Sequence, residues 1–213
     1  MKEPVTAMYS CPYCGREFEV ETYQSINAEE EDLRDRCVSG DLFRVSCPHC
    51  KKEYMIQYPF VYLDRKHKFV LWISDREVPA SVRSISDPLH LQGYRFRRVP
   101  ALKELPEKIQ IFEDELDDRL VELAKYDCFI EFVDNKKGNP EDITSIEYQR
   151  TENQVMKINV RTGDRGMAFL IPVNMVEEEM MQDIERYEVD NRSFPVVNTE
   201  WIIDLFRESS GQA

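Results

Sequence analysis

The chain has 213 residues, 42% of them hydrophobic and 32% charged, which is enough apolar content for a sizeable core in one or two domains. Its formal charge is −13, so a broad electrostatic attraction to nucleic acid is disfavoured from the outset. No 18-residue apolar run is present, and the start Met1-Lys2-Glu3-Pro4 lacks the apolar segment of a signal peptide. The expectation is a cytoplasmic protein with no membrane span, in which paired cysteines point to metal more than to disulfides.

In chain order, the first feature is Cys11-Pro12-Tyr13-Cys14, which is matched further on by Cys47-Pro48-His49-Cys50. Tetrahedral zinc takes four donors at about 2.3 Å, and a tight turn brings two sulfurs into that range, so each pair supplies half a coordination sphere. Pro12 and Pro48 pre-set φ for the turns, and Gly15 can take the φ > 0 conformation that aims backbone N–H groups at sulfur. Lys51 stands where the second knuckle would have that glycine. Arg16, Lys51 and Lys52 follow the knuckles and offset part of the thiolate charge. The resulting reading is a structural Zn²⁺ site built from Cys11, Cys14, Cys47 and Cys50. His49 is expected to be exposed and not a ligand.

Thiol redox chemistry is the competing reading, because Cys-Pro-Tyr-Cys looks like the glutaredoxin motif. A redox pair sits at a helix N-terminus, which lowers the thiol pKa. Here each knuckle leads instead into a strand pattern, over 16–23 and from Glu53 to Tyr62. Redox activity is therefore the least favoured function.

The 32 residues between the pairs exceed the about 15–20 of a compact ribbon, so an inserted element is required. The segment 28–38 reads as that element, a helix with Asn27 as N-cap, Glu30 at the third position and Gly40 as terminator. Cys37 is expected inside as a small buried residue. A strand over 41–46 enters the second knuckle. Beyond it, strands from Glu53 to Tyr62 and from Lys68 to Ile73 are joined by the turn Asp64-Arg65-Lys66-His67.

These residues carry a resemblance. The paired Cys-Pro-x-Cys motifs, Ser25-Ile26-Asn27 after the first, Gly40-Asp41-Leu42-Phe43 before the second, and the Tyr62-x-Asp64 turn resemble the CpXC domain family. The likeness continues through Tyr94-Arg95-Phe96-Arg97-Arg98-Val99 and Glu104-Leu105-Pro106-Glu107-Lys108-Ile109 to Leu116-Asp117-Asp118-Arg119-Leu120-Val121-Glu122, about the first 130 residues. It implies a prokaryotic domain taken to bind metal, and it supplies no catalytic residues.

Leu105, Ile109 and Phe112 share one helical face, as do Leu116, Leu120, Leu123 and Ala124, giving two short helices expected to pack on the ribbon sheet or on a second subunit. The run Cys128-Phe129-Ile130-Glu131-Phe132-Val133 reads as a strand, and 134–140 as a linker. Three further strands over 143–150, 154–161 and 167–173 suggest a meander with a turn over 162–166. Asn174 is expected to cap a helix bearing Val176, Met180, Ile184 and Tyr187, and Thr199 a last helix bearing Trp201, Ile202, Leu205 and Phe206. Met175, Met180 and Met181 are expected as core filler.

The fold expected is α+β: a zinc-ribbon-like antiparallel β domain with an inserted helix and following helices over 1–135, and a small α+β domain over 136–213. Ribbon strands run to about 73 and the helical part to about 133. The function expected is a non-catalytic protein-interaction or assembly module, with a protein partner or a second copy. Two alternatives stand beside it: an enzyme with an interdomain carboxylate site that includes Asp117 and Asp118, and nucleic-acid binding through Arg95, Arg97 and Arg98.

Overall fold

A computed structural model describes residues 4–134, 138–152, 154–163 and 165–210, except for the side chains of 208–210. The fold is α+β, and by contacts it forms two compact units. One comprises Met1–Pro106 with Asp190–Pro195, and the other Glu107–Val189 with Val196–Ala213.

In the first unit, strands β1 (Val5–Ser10) and β2 (Glu17–Thr22) pair antiparallel, with Ser10 opposite Glu17, so that the first knuckle closes their hairpin. Helix α1 (Glu31–Ser39) is the insertion between the knuckles, and Cys37 is buried on it. Gly40 ends it at φ 82, a left-handed conformation that suits glycine. Asn27 does not cap α1. It ends the short strand β3 (Ser25–Asn27), and its Oδ1 accepts from the Glu29 N–H at 3.3 Å, a local turn that competes with capping. Strands β4 (Arg44–Ser46) and β5 (Glu53–Met55) then form a second ribbon, closed by the second knuckle with Ser46 opposite Glu53.

The strand expected from Glu53 to Tyr62 is broken in two, because β6 (Phe60–Asp64) leaves the ribbon and joins a different sheet. That sheet has the order β3-β6-β7-β8, where β7 is Phe69–Ile73 and β8 is Arg95–Val99. It is mixed: β6 and β7 are antiparallel, while β3 lies parallel to β6 and β8 parallel to β7. A parallel pair needs a crossover. Helix α2 (Ala80–His90) provides it for β7 and β8, with Val82 packed into a cluster of Val70, Trp72, Val78, Tyr94, Phe96 and Phe194. The β6–β7 turn is held by Asp64, whose carboxylate accepts from the His67 backbone N–H at 2.9 Å and lies 2.8 Å from His67 Nδ1.

The second unit is built on helix α3 (Leu105–Glu113) and the long helix α4 (Asp118–Asp134). Leu105, Ile109 and Phe112 are buried as their spacing requires. The segment 128–133 is the end of α4 and not a strand. Cys128 and Phe132, one turn apart, continue the buried stripe of Leu120, Val121 and Ala124, and this burial overrides the β-propensity of the run. Residues 135–137 of the proposed linker lie outside the described residues, as does Asp164 in the expected turn.

Strands β9 (Ile143–Gln149), β10 (Val155–Thr162) and β11 (Arg165–Pro172) form the expected antiparallel meander. Met156, Ile158 and Val160 are fully buried on one side of β10, in keeping with the two-residue period of a strand. Helix α4 packs on β9 and β10, and also against α5 (Val173–Gln182) and α6 (Thr199–Ser210). Asn174 lies inside α5, which begins after Pro172, and the side-chain cap of α6 is Asn198, whose Oδ1 accepts from the Trp201 N–H at 3.1 Å. Of the three methionines expected as core filler, only Met180 is buried; Met175 and Met181 face solvent. Among the described residues, no helix is long and apolar enough to cross a membrane.

Candidate metal centre

The two knuckles have the same backbone. In the first, the Gly15 N–H donates to the Cys11 carbonyl at 2.9 Å and the Cys11 N–H to the Arg16 carbonyl at 3.0 Å. In the second, Lys51 donates to Cys47 at 2.9 Å and Cys47 to Lys52 at 3.0 Å. Gly15 has φ 70 and Lys51 φ 62, so the lysine adopts the left-handed conformation that its glycine counterpart takes freely. The turn geometry therefore overrides the mismatch in sequence.

This duplication places four thiols face to face. The sulfurs of Cys11, Cys14, Cys47 and Cys50 all lie within 4.8 Å of one another. Across the knuckles, Cys11 Sγ is 3.6 Å from Cys50 Sγ, and Cys14 Sγ is 3.8 Å from Cys47 Sγ. A tetrahedron of sulfurs with metal bonds of about 2.3 Å has edges of about 3.8 Å, so both the donor set and its spacing are compatible with a metal site. All six cysteines are free thiols, and Cys37 and Cys128 are buried outside the cluster.

Electrostatics divide the four. Burial raises the Cys11 thiol, but N–H groups of Tyr13 and Cys14 and the neighbouring thiols of Cys47 and Cys50 outweigh it and bring the pKa down to about 6. Cys47 is lowered too: burial opposes, and N–H groups of Cys50 and His49 prevail. Cys14 has one N–H donor, from Arg16, and burial with the other three thiols pushes it up to about 11. The cluster thus favours thiolate on Cys11 and Cys47, one sulfur of each knuckle.

Tyr54 borders the cluster from β5. Its ring stands edge-on to Tyr13 at 5.8 Å, and Lys52 Nζ lies 4.5 Å from the Tyr13 ring centre. The Tyr54 hydroxyl is buried and has no hydrogen-bond partner of acceptable geometry. Its pKa is pushed up to about 12, by burial first and then by the charge and proximity of Cys11. Sequence reasoning passed over this residue, and its only signal was an aromatic four positions beyond Cys50. His49 is exposed, with Nε2 3.4 Å from the Glu17 carbonyl, and takes no place among the sulfurs.

The other candidates are engaged in structure. Arg97 is buried and donates to the Phe96 carbonyl and to Asn191 Oδ1, while Arg98 pairs with Glu77 at 3.3 Å. Asp117 takes the Arg119 guanidinium at 2.6 Å, and the fully buried Asp118 pairs with Lys108 at 2.8 Å. In the second unit, a cleft of about 490 Å³ is lined by Asp114, Glu115, Tyr148, Arg150 and Glu177. Asp114 there accepts from the Tyr148 hydroxyl at 2.7 Å and pairs with Arg150.

A family model described as CpXC protein matches residues 9–125, a stretch that contains both knuckles and more than half of the chain. Neither the curated proteins nor the solved structures give a significant match.

Proposed function

The chain belongs to the CpXC family, and from that premise we propose that it is a cytoplasmic, non-catalytic zinc-binding module that assembles with a protein partner or with a second copy of itself. The observation that carries the metal is the set of four sulfurs within 4.8 Å. Soft thiolates in a tetrahedron select zinc or iron among common metals, and a site closed by four protein ligands leaves no position for substrate. Zinc bound there clamps the two ribbons together, and its binding free energy becomes folding free energy. Redox use of the thiols is opposed by the strands that follow each knuckle, where a reactive pair would have a helix N-terminus.

The assembly role draws support from exposed apolar side chains, among them Ile85 on α2, Leu91 just past its end, and Met175 and Met181 on α5. The carboxylate-enzyme and nucleic-acid alternatives lose support because Asp117, Asp118, Arg97 and Arg98 are all engaged in ion pairs or hydrogen bonds.

The test is elemental analysis of freshly purified protein, with Cys47→Ser beside it and thermal melts before and after chelation. One zinc per chain, lost in the variant, with a collapse of the melting temperature on chelation, is the expected result. Folded protein without metal, or iron in place of zinc, overturns it. Light scattering and affinity capture test the assembly role, and a monomer that retrieves no partner counts against it.

A further inference from the structure

The meander ends in two edges, β9 and β11, that are finished differently. At β9 the Tyr148 N–H donates to Glu107 Oε1 at 2.6 Å, and the pairing with β10 shifts register between Arg161 and Thr162. A covering side chain and a bulge both keep a sheet edge from pairing with another chain. Strand β11 has neither. Thr162 stands opposite Arg165 as in a two-residue hairpin, where the residues flanking the turn exchange their hydrogen bonds. By alternation, the N–H and C=O groups of Gly166, Ala168 and Leu170 point away from β10. These three residues are exposed, Leu170 to 68%, and among the described residues nothing bonds to their backbone. On the opposite face Met167, Phe169 and Ile171 extend the buried row of Val160, Ile158 and Met156, yet stay half-buried because α4 packs on β9 and β10.

The strand also suits a second copy of itself. From Gly166 to Ile171 it holds neither proline nor charge, and Arg165 is its one charged residue. At −13 the chain repels its own copies over most of its surface, but on β11 a copy meets no carboxylate. We infer that the exposed edge of β11 is the contact between two copies of this chain, which pair antiparallel through it about a two-fold axis at Ala168 and join their sheets into one. The inference rests on the assembly reading above and gives it a surface and a partner. In that register Ala168 faces Ala168 of the other copy, and Leu170 faces Gly166, where the missing side chain leaves room. Met167 faces Phe169, so a sulfur–aromatic contact joins the two apolar rows. The antiparallel sense holds the two Arg165 side chains apart and sets each at the end where the other copy's α5 begins, near the exposed Glu177 and Glu178.

The experiment follows the mass of the full chain by sedimentation over a range of concentrations, with circular dichroism as the check of fold. Wild type is compared with Ala168→Pro, Leu170→Lys and a control in the first unit, Leu91→Lys. Proline at 168 removes an N–H that points away from β10, so the hairpin keeps its own ladder while each copy loses a hydrogen bond to the other. Leu170→Lys puts on the exposed face the charge that commonly guards an edge, and it carries the test if the proline unfolds the meander. The expected result is a dimer for wild type and control, with the dissociation constant raised about tenfold or more in Ala168→Pro and Leu170→Lys. Unchanged dimer affinity in Leu170→Lys overturns the inference and leaves assembly through another surface standing. Dissociation in Leu91→Lys alone does the same. A monomeric wild type also overturns it, and one that retrieves no partner in affinity capture removes the assembly reading as well.

Discussion

Asn191 does for Phe96 what a neighbouring strand would do. Its Oδ1 accepts from the Phe96 N–H at 2.9 Å, and its Nδ2 donates to the Tyr94 carbonyl at 2.9 Å, so one side chain satisfies part of the open edge of β8. Three residues on, Phe194 is 2% exposed, with its ring 5.1 Å from that of Phe96 and its backbone at φ 56. The segment Asp190–Pro195 is thus a strap that belongs to the first unit although it follows most of the second in sequence. A left-handed phenylalanine persists only where packing outweighs its conformational cost of about 1–3 kcal/mol.

The strap gives the first prediction. Phe194→Ala should destabilise the protein by about 3–5 kcal/mol, as truncation of a buried aromatic does. Asn191→Ala should cost about 1–3 kcal/mol by leaving the Phe96 N–H without an acceptor. Denaturant unfolding with tryptophan fluorescence reads both, because Trp72 lies in the same cluster. Wild-type stability in both variants would show that the strap contributes nothing.

A buried ion pair supplies the second. Lys108 Nζ lies 2.8 Å from Asp118 Oδ2 and 2.6 Å from the Val197 carbonyl, in an interior where Glu122 and Lys125 form another pair at 3.2 Å. Removing one member strands an uncompensated charge, so Lys108→Met should cost about 3–5 kcal/mol. The double variant with Asp118→Leu should recover most of that loss, because two apolar groups of similar volume need no partner. Denaturation of the single and double variants in one cycle decides it, and additive losses would refute the pairing as the source of the effect.

The four-cysteine cluster was the most legible part of the chain because its information is local: Cys-x-x-Cys fixes two sulfurs within one turn, and two such turns fix four. The strands leaving each knuckle were legible from alternation. Helix α2 was not, since its serines and internal Pro88 weaken the pattern, and it exists to cross over between the parallel strands β7 and β8, a non-local demand. The run 128–133 misled because cysteine, phenylalanine, isoleucine and valine favour strands when considered alone. Only the helix beneath it, with Leu120 and Ala124 already buried, sets the period that Cys128 and Phe132 obey. Asn191 was invisible for a related reason: it matters through Phe96 and Tyr94, partners that sequence distance conceals.

Lys51 tests how tightly the knuckle turn is specified. At φ 62 it carries a conformation that costs a side-chain-bearing residue about 1–2 kcal/mol, while Gly15 takes it freely at φ 70. Lys51→Gly should therefore raise the stability of the protein by up to about 1 kcal/mol, allowing for the greater freedom of glycine when unfolded. Gly15→Ala should lower it by a similar amount, with open space around the added methyl so that strain alone is measured. Thermal melts in one buffer compare the two. A loss on Lys51→Gly would mean that the lysine charge beside the thiolates outweighs its backbone strain.

Asp127 and Glu179 set a pH dependence in the second unit. Burial first, and then the charge and hydrogen bond of Glu179, raise the Asp127 carboxyl from its ordinary 3.8 to about 7. Between those values the folded protein keeps a proton that the unfolded chain has released. Stability must therefore fall as pH rises from about 4 to about 7, and it stays at the lower level above that. Asp127→Asn keeps a hydrogen-bonding group beside Glu179 but cannot ionise, so it should match the wild type near pH 4 and exceed it at pH 8. The four-cysteine cluster is common to both proteins, so the difference between their denaturation curves isolates Asp127. Parallel curves from pH 4 to 8 would show that the carboxyl ionises as easily in the fold as out of it, and a larger wild-type advantage at pH 8 would reverse the sign of the argument.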